Sequence, residues 1–228
     1  AFALTGPANQ PELRPSFRDM DGNMAVAWDG MTVMQALVLG PARLRPRLKD
    51  GILQIPTETV RASGGTMRLG GVVSFRGDKR VYSLPGETQV LDEVKITPAI
   101  GKQLLSYVNP FLSQVARIDG NVSLRTSKLR VPLTAEAAEL GSGRARLDLS
   151  GVRLVPTAGF MKLFSAVTRA RGTDAGAARP LPVRFSPVDI ALRNGRIHYD
   201  NYTMTFADAV EVTLYGSVGL DDTLDLAM

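Results

Sequence analysis

The sequence predicts a mainly β protein, an antiparallel curved sheet in the form of a β-groove or open barrel-like structure, with two or three short helices. Three observations carry this. Apolar residues recur with period two over long stretches, most clearly from Met204 to Leu220. There the even positions read Met, Phe, Asp, Val, Val, Leu, Gly, Val, Leu, and the odd ones are mostly polar or small. Period two puts one wet and one apolar face on an extended chain. The 22 Gly and 14 Pro suit many strands joined by tight turns. Aromatic content is only 6%, so the apolar face is aliphatic, built from Val, Leu, Ile and Met.

The elements follow in chain order. Residues 1–21, with Pro7, Pro11 and Pro15, read as a linker or irregular lead-in. Met24, Val26 and Trp28 alternate up to a turn at Asp29-Gly30. Met31 to Leu39 is a second apolar run, ended by Gly40-Pro41. Leu44 to Leu48 contains Pro46 and reads as an edge strand or no strand. Asp50-Gly51 leads into Ile52–Ile55. Met67, Leu69, Gly71, Val73 and Phe75 form one face of the next strand, closed by Gly77-Asp78. Val81–Leu84 and Thr88–Ile96 continue a meander.

Thr97-Pro98 signals a helix start, because Pro at the first helical position loses no hydrogen bond and Thr before it caps. Ile100, Leu104, Leu105 and Val108 then share a face. Asn109-Pro110 repeats the device with Phe111, Leu112 and Val115. Helices are expected at about 98–107 and 110–116. Strands follow at Ile118–Leu124 and Leu129–Leu133. Ala145, Leu147 and Leu149 alternate on odd positions and Val152 and Leu154 on even ones, so a β-bulge is expected at Ser150-Gly151. Thr157 to Ala170 reads as a helix with Phe160, Leu163, Phe164 and Val167 inward. Residues 169–179 read as a mobile loop, and Pro187 breaks the phase between Val183-Phe185 and Val188-Ile190-Leu192. Asp208 interrupts the last apolar face, leaving open one long strand or two folded back on each other.

Two internal similarities organise the chain. Val94–Gly101 (VKITPAIG) resembles Val152–Gly159 (VRLVPTAG), and Leu48-Lys49-Asp50-Gly51-Ile52 resembles Leu192-Arg193-Asn194-Gly195-Arg196. They divide the chain into a β-meander unit at 22–133, with its helical insertion at about 98–116, and a second β unit at 134–228.

The residues restrict the chemistry. There is no cysteine and one histidine, His198, which removes cysteine nucleophiles, disulfides and most transition-metal sites. His198 lacks a nucleophile elbow elsewhere in the chain. Asp221, Asp222 and Asp225 lack calcium-loop spacing. Ser63-Gly64-Gly65 and Gly141-Ser142-Gly143 lack a phosphate-loop lysine and read as turns. Trp28 reads as core or membrane-interface packing. No catalytic residue, metal or cofactor is therefore expected, and the reading is non-enzymatic. Net charge is +5, but no basic stripe interleaved with aromatics suggests nucleic acid. No run of 18 apolar residues occurs. The start AFALTGPANQPELRP has neither an initiator Met nor a signal-peptide pattern, and with the strand-like end LDLAM it reads as a segment of a longer protein.

The Asn-Gly turn in Leu192–Ile197, followed by Tyr215-Gly216-Ser217-Val218-Gly219-Leu220 and Leu224-Asp225-Leu226, resembles the C-terminal region of AsmA-like proteins and their TamB-like relatives. Ile118–Leu124 (IDGNVSL) has the same character. The resemblance is a pattern over about residues 90–228. It implies a periplasmic segment of a protein anchored in the inner membrane elsewhere in its chain. A curved sheet would there carry phospholipid, or another acyl-chain ligand, between membranes or support outer-membrane assembly. The expected groove residues are Met67, Leu69, Val73, Phe75, Phe206, Val210, Val212, Leu214, Val218 and Leu220. Capping helices would present Ile100, Leu104, Val108, Phe111, Phe160 and Phe164. The helical insertions depart from a free trough. The rival is a structural or adhesive β-repeat domain with a fully buried core.

Overall fold

The computed structural model describes residues 20–33, 37–76, 79–101, 115–134, 141–157, 181–206, 210–219 and 223–227. In chain order the strands are β1 (Gly22–Asn23), β2 (Val26–Trp28), β3 (Met31–Val33), β4 (Leu37–Leu39), β5 (Ala42–Leu44), β6 (Arg47–Lys49), β7 (Ile52–Ala62), β8 (Gly65–Ser74) and β9 (Val81–Lys95). One helical turn, α1 (Pro98–Ile100), precedes β10 (Val115–Pro132), β11 (Ser142–Pro156), β12 (Leu181–Phe185), β13 (Val188–Arg193), β14 (Arg196–Phe206), β15 (Val210–Gly219) and β16 (Leu224–Ala227). Fourteen of these form one curved antiparallel sheet whose main path runs β1-β6-β7-β8-β9-β10-β11-β12-β14-β15-β16. β2 and β5 pair separately. The boundary expected near residue 133 falls between the paired neighbours β10 and β11, and the same sheet runs through both expected units.

The register explains how one apolar face is assembled. Val60 faces Met67, Met67 faces Leu91, Leu91 faces Leu124, Leu124 faces Leu147, and Leu147 faces Val188. This row crosses six strands, roughly 24 Å at the usual strand spacing. Phe185, Met204 and Val212 make a second row across β12, β14 and β15. The opposite face carries polar rows such as Gln89, Arg125, Arg146 and Asp189. There Arg125 Nε donates to Gln89 Oε1 at 3.1 Å, and Arg146 forms an ion pair with Asp189.

Bulges keep apolar residues on the same face where their sequence phase changes. At the expected site, Asp119 faces Arg153 and Asn121 faces Ser150, so β11 carries an extra residue beside Gly151 (φ 60°). Leu147, Leu149, Val152 and Leu154 are consequently all buried. β14 does the same at Asn201 (φ 53°), which puts Tyr199 and Tyr202 on one face. Asp208 lies outside the described residues, but the two segments flanking it are separate strands, with Phe206 facing Val210.

Several expectations change. Among the described residues the only helix is α1. Thr97 Oγ1 accepts from Ile100 N at 3.2 Å, as a capping threonine does. The rest of the expected helices at 98–107 and 110–116, and that at 157–170 beyond Thr157, lie outside the described residues, as do the loop at 169–179 and Asp221-Asp222. Val115 and Ala116 are in β10 rather than in a helix, and Val115 faces Pro156. The two strands expected between Ile118 and Leu133 are one, because Lys128 (φ 52°) absorbs a register shift without ending the strand. Val81–Leu84 and Thr88–Ile96 likewise join as β9 through Pro85-Gly86. Met31–Leu39 divides into β3 and β4, which pair with each other. Around Pro46, β5 and β6 are separate short strands. Ser63-Gly64 is the expected turn, closing β7 onto β8 with Ala62 facing Gly65. Ser142-Gly143 is instead the start of β11.

Candidate apolar binding face

The expected groove residues on the apolar face differ in burial. In the C-terminal half the face is tightly packed: Phe206, Val210, Leu214 and Val218 are buried, Leu214 completely. Val212 is half-buried and packs against this core. In the N-terminal half Val73 is buried, whereas Met67, Leu69 and Phe75 remain half-buried. Met67 and Leu69 touch the core from its margin, and Leu124 does so from β10. Phe75 lies just past β8, with the Arg80 guanidinium 6.0 Å from its ring centre. Among the expected capping residues, Ile100 is buried against the core, where α1 packs on β10. Leu104, Val108, Phe111, Phe160, Phe164 and Leu220 lie outside the described residues. The register thus brings the half-buried Met67 into one row with Leu124 on β10, while Phe206 to Val218 form the closed end.

The sequence reading missed an aromatic cluster at that closed end. Phe185 stacks on Tyr202 at 5.8 Å between ring centres, and Tyr199 meets Tyr202 edge-on at 6.1 Å. Tyr199 and Tyr202 are three apart, against the strand period. The available signal was Asp200-Asn201, a dipeptide suited to the left-handed bulge conformation between them. The Tyr199 hydroxyl and Thr126 Oγ1 are buried with no hydrogen-bond partner among the described residues. Burial pushes the Tyr199 phenol up to about 12.

On the polar face, His198 lines a cavity of about 560 Å³ with Glu87, Arg144, Arg193 and Asp200. Its pKa is lowered, first by burial and then by the charges of Arg193 and Arg196. Ser217 is its register neighbour on β15, but the Ser217 hydroxyl accepts from Arg196 Nε at 2.9 Å. Trp28 donates its indole N–H to Gly40 O at 2.9 Å. Among the described residues no group of three His, Cys, Asp or Glu side chains is placed to hold a metal ion. None of the described helices is long and apolar enough to cross a membrane.

Comparison with protein-family models, with curated proteins and with solved structures finds no significant match in any of the three. The class defined by fold and face is a large, one-sided antiparallel β-sheet.

Proposed function

We propose that this chain is a non-enzymatic segment of a cell-envelope protein whose apolar sheet face contacts acyl chains. It would line a path for phospholipid between inner and outer membranes or support outer-membrane assembly. In this reading it works in the periplasm, and a part of the protein outside this sequence anchors it to the inner membrane. The supporting observation is the uninterrupted apolar row from Val60 to Val188, which retains half-buried members at Met67 and Leu124. Acyl chains gain about 0.8 kcal/mol per buried CH₂ group without directional contacts. A row of aliphatic side chains along several strands therefore suffices to hold them, and no specific polar ligand set is required.

The packed C-terminal half favours a second reading, a structural β domain with no lipid ligand, because Leu154, Tyr202 and Leu214 have no exposed surface. Native mass spectrometry of the purified chain separates the two. The lipid reading expects co-purifying phospholipid that is lost in Met67→Asp or Leu69→Asp while the protein still unfolds cooperatively. Wild-type protein that carries no lipid after extraction, and no photo-crosslink to lipid from a probe at position 67, leaves the structural reading.

A further inference from the structure

A cavity of about 600 Å³ opens where three neighbouring strands kink at one level. β7 kinks at Pro56-Thr57, between the pairs Ile55–Gly71 and Glu58–Leu69. β8 turns at Gly70 (φ 149°) and Gly71 (φ 123°), and β9 at Pro85-Gly86 (Gly86 φ 78°). The β8–β9 ladder is interrupted between Met67 and Val72. Into this gap the chain brings Arg45 from the link between β5 and β6, Arg47 from β6 and Arg68 from β8. Gln54 sits opposite Arg47 in register and also lines the cavity. No Asp or Glu is among the residues lining it.

Several other arginines of the described sheet have local partners. Arg117 pairs with Asp119, Arg146 with Asp189, Arg125 with Gln89, Arg76 with Asp50 O, and Arg196 with Ser217 and Thr223. Arg45, Arg47 and Arg68 have no such side-chain partner among the described residues. Three like charges around a cavity lined by no Asp or Glu favour a counter-ion with more than one negative oxygen. Guanidinium forks match phosphate geometry, and each such contact is a charge-assisted hydrogen bond. The other wall is apolar, with Leu69 and Leu84. The volume is that of a small-molecule site.

We propose that this cavity binds a phosphate monoester, its phosphate held by Arg45, Arg47 and Arg68 and its organic part against Leu69 and Leu84. A soluble phosphate ester and an anionic lipid headgroup share this chemistry. The test uses the full chain with glycerol 3-phosphate in calorimetric titration. Its second arm is co-sedimentation with phosphatidylcholine vesicles, plain or doped with phosphatidic acid. Two charge-matched double variants are compared, R47Q/R68Q and, away from the cavity, R61Q/R153Q. All four arginines are exposed, and thermal melts verify that both variants fold. The expected result is saturable binding in at least one arm, weakened about tenfold or more in R47Q/R68Q and changed less than about twofold in R61Q/R153Q. Binding in the soluble arm alone identifies a soluble ester, and binding confined to doped vesicles identifies a headgroup. No saturable binding in either arm, or equal loss in both variants, overturns the site. If the apolar face carries no acyl chain, the glycerol 3-phosphate titration keeps its meaning, so the two readings fail separately.

Discussion

Ser150 donates its hydroxyl to both carboxylate oxygens of Glu93, at 3.1 and 3.3 Å, reaching across the intervening strand β10. Asn121 Nδ2 on β10 reaches the same carboxylate at 3.0 Å, and Ser123 Oγ lies 3.4 Å from it. Glu93 holds a left-handed backbone (φ 48°) where β9 carries an extra residue against β10. One carboxylate thus ties together three strands at a bulge. Removing Ser150 or Glu93 singly with alanine is expected to cost about 0.5–1.5 kcal/mol in urea unfolding. A double-mutant cycle is expected to give coupling of about 0.5–1 kcal/mol. Additive single effects would show that the bulge is held by backbone geometry alone.

Tyr199 makes a pH prediction whose sign follows from its buried phenol. Its pKa rises from 10.0 to about 12 on folding, so the native state stays protonated where the unfolded chain ionises. Its stabilising contribution is intact below pH 10 and is lost as pH rises to about 12, a fall of about 2–3 kcal/mol. Burial raises Tyr82 as well, and it adds in the same direction. Tyr199→Phe removes the larger part of this decline. At neutral pH it leaves stability unchanged or raises it by up to about 1 kcal/mol, because a buried hydroxyl without a partner is removed. Urea unfolding at neutral and alkaline pH, with tyrosinate absorbance, checks both parts. A Phe variant that loses stability at pH 7 would show that the hydroxyl has a partner.

The two hairpin turns that look alike in sequence also share a geometry. Asp50-Gly51 has φ 49° and 69°, and Asn194-Gly195 has φ 51° and 68°. Lys49 faces Ile52 in one and Arg193 faces Arg196 in the other. Positive φ at both central residues is the two-residue turn that matches strand twist. Gly51→Ala and Gly195→Ala are therefore expected to destabilise by similar amounts, about 1 kcal/mol each in urea unfolding. A several-fold difference between them would mean that the surroundings, rather than the shared turn geometry, set the cost.

Local signals of this kind explain what was legible. The Asp50-Gly51 and Asn194-Gly195 turns, the Thr97 cap and the bulge beside Gly151 are each written in a few adjacent residues. The apolar face of β15 followed from period two. Strand continuity was harder to read. Val81–Leu84 and Thr88–Ile96 read as two segments, yet β9 continues through Pro85, which has no N–H for a ladder. The ladder to β8 is interrupted there and the register to β10 shifts, so the missing donor falls where regular pairing is already broken. The arginine cavity was not legible because Arg45, Arg47 and Arg68 are spread over two hairpins. Only the stacking of β6, β7 and β8 brings them together.

The kinked level beside that cavity gives a contrast between two glycines. A Cβ on Gly86 (φ 78°) would meet nothing within 4 Å, so Gly86→Ala is charged only the left-handed backbone cost, about 1–2 kcal/mol. A Cβ on Gly71 (φ 123°) would lie 2.7 Å from Tyr82 Cε2 and 2.8 Å from Ser83 O. The Tyr82 ring is not free to swing aside, because its hydroxyl donates to Gly70 O. Ser83 O belongs to the backbone of β9, where Ser83 faces Val72. Gly71→Ala must therefore either break the Tyr82–Gly70 bond or push β8 and β9 apart. It is expected to cost about 1–3 kcal/mol more than Gly86→Ala in urea unfolding. Tyr82→Phe in the Gly71→Ala background should recover a part, since it removes both the hydroxyl 2.9 Å from the added Cβ and the bond that holds the ring, and Tyr82→Ala should recover more. Equal costs for the two glycine substitutions would show that β8 and β9 separate readily at this level, and that the close approach of Gly71 to Tyr82 contributes nothing to the kink.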